Sequence, residues 1–175
     1  MIVALSGTPG TGKSTVARIL AGMGLRVPDV GALAEEKGAV CGRDEERGSL
    51  EIDVDALDEA LREEREEGTL ILVGHLSHLL TADLVIILRS SPAVLRARLR
   101  ERGWPERKVK ENVEAEACDV ILVEALERTD NVFEIDTTRC TPDEAAAAVL
   151  EILAGKTEKY AHGNIDWSEE VLSWF

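Results

Sequence analysis

The chain has 175 residues, with 20 Lys and Arg against 34 Asp and Glu, a formal charge of −14 and 45% hydrophobic residues. Length and apolar content predict one domain over residues 1–175 with a sizeable core and exclude a disordered chain. The acidic balance excludes a general basic coat for nucleic acid and disfavours anionic membrane surfaces, while leaving room for a local cationic site.

In chain order, Ile2–Ser6 is a short apolar run ended by a Gly-rich turn and predicts a buried strand. Lys13–Met23 places Val16, Ile19, Leu20 and Met23 on one helical face. Leu25–Pro28 predicts a second short strand, Val30–Lys37 a brief helix, and Gly38–Ser49 a polar, Gly-containing stretch. Asp53–Glu67 carries Val54, Leu57 and Leu61 on one face, as an amphipathic helix does. Thr69–Gly74 and Leu84–Arg89 are apolar runs too short for helices and read as fully buried parallel strands. A helix is expected from Pro92 to about Arg102, interrupted by Gly103-Trp104-Pro105, and a further one to about Arg128. Asn131–Asp136 is the fifth strand, and Thr141-Pro142-Asp143-Glu144 opens an Ala-rich helix to Leu153. Strands alternating with helices predict an α/β, doubly wound, five-stranded parallel sheet.

The longest apolar runs fall far short of the roughly 20 residues that a membrane span needs. Met1 leads straight into a β-branched run, without a basic leader region. Cys41, Cys118 and Cys140 are odd in number and form no CxxC pair. Neither a disulfide framework nor a zinc site is expected, and the reading is a reduced, cytoplasmic protein.

Gly7-Thr8-Pro9-Gly10-Thr11-Gly12-Lys13-Ser14 matches GxxxxGK[ST] in full, between a predicted strand and a predicted helix. Glycines let successive N–H groups turn inward around phosphate oxygens, and the helix N-terminus adds partial positive charge there. Gly10, Gly12, Lys13, Ser14 and Thr15 are therefore expected to hold a nucleoside triphosphate, with Lys13 on the β- and γ-phosphates, Ser14 on Mg²⁺ and Thr15 supporting the α-phosphate. No NKxD or DxxG motif follows, so a small GTPase is not indicated. A short chain with an arm after the second strand and an Arg-rich late segment looks like a nucleoside monophosphate kinase. Between Arg89 and Lys110 stand eight basic residues against Glu101 and Glu106 alone. A cationic stretch in an acidic protein calls for an anionic partner, and Arg102 beside Gly103 is the expected donor-nucleotide contact.

The P-loop, Asp29-Val30-Gly31, Gly74-His75-Leu76-Ser77-His78, Arg102-Gly103-Trp104 and Lys108-Val109-Lys110-Glu111-Asn112-Val113-Glu114-Ala115-Glu116 together resemble the adenylate kinase isoenzyme 6 family of archaea and eukaryotes. The resemblance runs from Met1 to about Leu153. It implies adenylate kinase activity on ATP and AMP, ATPase activity, and a part in small-ribosomal-subunit (16S rRNA) maturation beside a platform ribosomal protein in pre-ribosomal particles. It implies no sequence-specific reading of nucleic acid. It further implies an acceptor arm over residues 29–52, a lid over residues 101–111 and ATP contacts from Gly10, Gly12, Lys13, Ser14, Thr15 and Arg102.

His75 follows a buried strand at the carboxyl edge, where ligands sit in open α/β sheets. The catalytic set is read as Lys13, His75 and Arg102, with His75 able to orient an attacking or Mg²⁺-bound water; the alternative is a structural histidine. His78 is read as packing or surface. Two departures from the resembled pattern stand out. Val73 occupies the place of an acidic residue, which leaves Asp29 or Asp53 as substitute carboxylates for Mg²⁺. Glu35 stands where an arginine could neutralise the AMP phosphate. In the tail, residues 155–175, Trp167, Val171, Leu172, Trp174 and Phe175 could form one apolar helical face, either packed on the chain's own core or docking a partner.

Overall fold

A computed structural model describes residues 1–44, 49–62 and 68–174. In chain order the elements are β1 (Ile2–Ser6), α1 (Lys13–Gly22), α2 (Val30–Lys37), β2 (Val40–Asp44), β3 (Ser49–Ile52), α3 (Val54–Arg62) and β4 (Leu70–Val73). There follow β5 (Leu84–Arg89), α4 (Pro92–Glu101), α5 (Glu106–Ala117), α6 (Val120–Leu126), β6 (Val132–Asp136), α7 (Pro142–Leu153) and α8 (Ser168–Leu172).

The main sheet is parallel, in the order β4-β1-β5-β6. Its strands are runs of Val, Ile and Leu without polar alternation because both faces are covered. On one face Val3, Leu5, Ile86 and Leu88 pack against Val16 and Leu20 of α1 and against Ala146, Val149 and Ile152 of α7. On the other face Ala4, Val85 and Ile87 meet Leu122 and Ala125 of α6. There too Ile2 and Leu72 meet Val30 and Leu33 of α2 and Leu57 and Leu61 of α3. The α4–α5 hairpin carries its own small core of Leu95, Leu99, Val109 and Val113, lidded by Trp104.

Among the described residues, four strands rather than five make this sheet. The segment expected as a strand at Leu25–Pro28 runs along β4 with two isolated parallel bridges, Arg26 to Leu70 and Asp29 to Val73. The carbonyls of Arg26 and Pro28 accept from the N–H groups of Ile71 and Val73, but Pro28 has no N–H to return. The polar stretch after α2 is a hairpin: β2 and β3 pair antiparallel. The helix expected to run to Arg128 breaks at Cys118-Asp119, where Asp119 takes a left-handed φ of 54°. The helix expected over Asp53–Glu67 is described as far as Arg62, and its last five residues lie outside the described set. The cysteines Cys41, Cys118 and Cys140 are free thiols. Among the described residues no helix is long and apolar enough to cross a membrane.

Candidate active site

The loop between β1 and α1 sits at the carboxyl ends of the parallel strands, where β4 and β5 flank β1. At two of its glycines a side chain would also collide with the fold. A Cβ on Gly7 (φ 140°) would stand 2.4 Å from the Leu88 carbonyl oxygen. A Cβ on Gly10 (φ 100°) would stand 2.7 Å from Leu95 Cδ1 and 2.9 Å from Leu99 Cδ2, so the loop lies directly on α4. The Thr11 hydroxyl donates to the Thr8 carbonyl at 2.9 Å and the Thr137 hydroxyl donates to the Thr11 carbonyl at 2.9 Å, which ties the loop to the end of β6.

The Lys13 ammonium donates to the carbonyls of Gly7 (2.5 Å) and Thr8 (3.0 Å). Desolvation in the crowded loop lowers its pKa to about 8, with Glu116 pulling it up and Arg102 pushing it further down. A cavity of about 560 Å³ opens beside the loop. Gly10, Gly12, Lys13, Ser14, Thr15, His75 and Arg102 all line it, so the expected catalytic and ATP-contact residues meet at one place. Asp29 and Val73 line it as well, as do Asn112 and Glu124. A smaller cavity of about 220 Å³ lies on the other side of the loop and shares Gly10, Gly12, Thr15 and Arg102 with the first. Arg98, Thr137 and Thr141 close it. Arg102 thus borders both spaces.

His75 is exposed at the end of β4 and faces the larger cavity. Desolvation there, together with the Lys13 charge and His78, lowers its pKa, so the ring is neutral near pH 7. His78 is neither surface nor simple packing. It is 1% exposed; its Nδ1 faces the Ser6 hydroxyl at 2.9 Å and its Nε2 faces a Glu124 carboxylate oxygen at 2.8 Å. Burial lowers its pKa against the upward pull of Glu124. A neutral ring that donates from Nε2 and accepts at Nδ1 satisfies both partners.

Several expectations need revision. Arg89 does not belong to a solvent-facing cationic segment: it ends β5, is 2% exposed and binds three carboxylates, Glu116, Asp119 and Glu134. Arg98 is held by the Thr137 carbonyl at 2.7 Å, and Arg100 pairs with Glu106 at 2.5 Å. Of the two substitute carboxylates, Asp29 lines the cavity, whereas Asp53 caps α3 by accepting from Ala56 N. Glu35 stands exposed on α2 and does not line the cavity. The tail forms no single apolar helical face: α8 is five residues long, Leu172 is 73% exposed, and Phe175 lies outside the described residues. It is tied to its own chain instead, with Ala161 bridging to Phe133 and Arg96 over the Trp174 ring. Glu116 ends the run from Lys108 in the resembled pattern but has no role readable from the sequence; its buried carboxylate accepts from the Thr8 hydroxyl within the loop.

Residues 3–119 match a family model described as an AAA domain. A protein of Archaeoglobus fulgidus bearing the name "Putative adenylate kinase" is 50% identical over 98% of this chain and 94% of its own length. Relatives of the same name from Thermococcus kodakarensis and Methanocaldococcus jannaschii are 45% and 36% identical, each across 99% of this chain and 98% and 97% of their own length. Among solved structures, shikimate kinase from Acinetobacter baumannii in complex with shikimate superposes with a TM-score of 0.58 at 18% identity, covering 89% of this chain and 93% of that one. The YorR protein of Bacillus subtilis, in complex with phosphorylated GDP, gives 0.54 at 20% identity, over 88% of this chain and 96% of its own. These two likenesses establish the P-loop α/β fold.

Proposed function

The chain belongs to the archaeal family whose members bear the adenylate kinase name, and from that premise we propose that it transfers the γ-phosphoryl group of ATP to AMP. The observation that carries this reading is the pair of cavities meeting across one phosphate-binding loop, with Arg102 on the border of both. Two nucleotides presented from opposite sides would meet end to end at the phosphates, the in-line arrangement that phosphoryl transfer needs.

In this reading the donor triphosphate lies along the inward N–H groups of the loop and the N-terminus of α1, with Thr15 near its α-phosphate. Lys13 leaves the carbonyls of Gly7 and Thr8 for the β- and γ-oxygens, and Arg102 neutralises charge that develops on the equatorial oxygens. The donor nucleoside occupies the smaller cavity beside Arg98 and Thr141, and AMP the larger one. His75, neutral and at the strand end, orients water or the acceptor rather than carrying charge. The oxygen donors on hand, the Ser14 hydroxyl and the Asp29 carboxylate, fit a hard cation, and these residues would hold Mg²⁺ directly or through water. When bound, Mg²⁺ supplies neutralisation of phosphate charge. The α4–α5 turn is the lid, residues 101–111, and its closure excludes water from the transfer.

A second reading is favoured by Val73, an apolar residue lining the cavity where an acidic one stands in the resembled pattern. It makes the chain an isoenzyme 6-type ATPase whose nucleotide cycle serves small-subunit maturation, with AMP phosphorylation incidental. Measuring ADP formation with and without AMP separates the two. The kinase reading expects AMP to accelerate ADP production, and Lys13→Ala to lower that rate on the order of 10²–10³-fold. An AMP-independent rate at saturation would leave only the ATPase.

A further inference from the structure

Behind the loop lies a buried polar chain that the proposed chemistry does not use. Glu116, the penultimate residue of α5, is 3% exposed. Its Oε2 accepts from Thr8 Oγ1 at 2.5 Å, and its Oε1 accepts from Arg89 Nε at 2.7 Å and from the Ser90 N–H at 3.2 Å. The other nitrogens of Arg89 reach Asp119, Glu134 and the Glu116 carbonyl. Glu134 is also buried, and its second oxygen accepts from the Gly163 N–H in the tail at 2.7 Å. The chain of bonds therefore runs from the tail across β6 and β5 to α5, and ends on the second residue of the phosphate-binding loop.

Burying two carboxylates, Glu116 and Glu134, against one guanidinium, with half-exposed Asp119 beside them, is costly unless each buried oxygen has a donor. Core packing alone would be served as well by apolar side chains of like volume. The Thr8 hydroxyl supplies the donor for Glu116 Oε2, and in return the carboxylate fixes the rotamer of Thr8, which is 2% exposed. Thr8 has its carbonyl turned toward the Lys13 ammonium and the Thr11 hydroxyl. Fixing Thr8 therefore fixes the orientation of the peptide on which Lys13 and the loop's first turn depend. Asn112 and Lys108, on the same helix as Glu116, line the larger cavity. One rigid element thus touches both the nucleotide space and the back of the loop.

We propose that Glu116 is a positioning residue for the phosphate-binding loop, acting through the Thr8 hydroxyl. This rests on the reading of the site as a nucleotide site. Changing Glu116 itself would leave Arg89 short of a partner in the core, so the loop side is the better probe. Thr8→Val keeps the shape and removes the donor, and Thr8→Ser keeps the donor and removes the methyl group.

The experiment is titration calorimetry of the full chain with Mg·ADP, together with thermal midpoints for each variant. Loss of one charge-assisted hydrogen bond predicts about tenfold or more weaker binding in Thr8→Val, with Thr8→Ser restored to within about threefold of the unaltered chain. Thr8→Val with a lowered midpoint and unchanged affinity would make the network structural only and overturn the proposal. Failure of Thr8→Ser to recover affinity would overturn it as well, since the methyl group would then be what matters. Absence of Mg·ADP binding by the unaltered chain would overturn both the proposal and the nucleotide site beneath it, whereas either variant result leaves that site standing.

Discussion

A histidine at 1% exposure with both ring nitrogens engaged makes stability respond to mild acid. The His78 ring has a lowered pKa in the folded chain, first through burial, whereas in the unfolded chain it titrates near about 6.5. Between those two values the unfolded state binds the extra proton, so stability is full above about pH 6.5 and falls as pH drops toward the folded-state value. Thermal midpoints recorded from pH 7.5 to 5.5 should decline, and more shallowly in His78→Gln. Equal slopes in the two proteins would remove His78 as the cause. Glu116 and His78 also show what a linear reading misses. Glu116 meets Thr8 across 108 positions and Arg89 across 27, and no local pattern marks such a carboxylate as anything but a solvated helix residue. Arg89 was misread for the matching reason: a basic residue within a basic run looks exposed, although it closes a fully buried strand. Lys13, Ser14 and the glycines were legible because their spacing is itself the device.

At the level of elements, α7 has the most complete start. The Thr141 side chain accepts from Glu144 N at 3.2 Å and the Glu144 carboxylate accepts from Thr141 N at 2.7 Å, with Pro142 at the first helical position. Thr141→Ala should cost about 1 kcal/mol in denaturant unfolding, with Thr141→Ser near neutral. A loss beyond about 3 kcal/mol would mean that the residue supports the neighbouring cavity wall as well. That start was readable in Thr141-Pro142-Asp143-Glu144, and the buried strands were readable because unbroken Val, Ile and Leu runs have few other uses in a chain this charged. The β2–β3 hairpin was not readable. Cys41, Gly42 and Arg43 break the alternation that would announce a strand, and the bulge between Val40 and Gly42 shifts the register. The break at Asp119 was hidden too, since a non-glycine residue at positive φ is held there by a distant partner, Arg89, together with its own backbone bonds to Glu116 and Val123.

Across the whole molecule, the tail belts the sheet edge to the hairpin that carries Arg102. Tyr160 donates to Glu151 on α7, Gly163 reaches Glu134 on β6, and Glu170 accepts from the Ala93 N–H at the start of α4. Ending the chain after Trp167 removes only the last of these and should cost about 1 kcal/mol, as loss of a helix cap does. Ending it after Thr157 also strips a donor from buried Glu134 and uncovers apolar surface on β6, and should cost roughly 3 kcal/mol or more. Urea unfolding of the two truncations tests the order, and equal losses would contradict it. The same arrangement sorts the indoles by place. Trp104 stands on the rim of the larger cavity with the Lys108 ammonium 4.2 Å from its ring centre, while Trp167 and Trp174 belong to the tail. Replacing that distant pair with phenylalanine would leave one indole, at the mouth of the larger cavity, and its red-edge fluorescence would report any ligand that settles there.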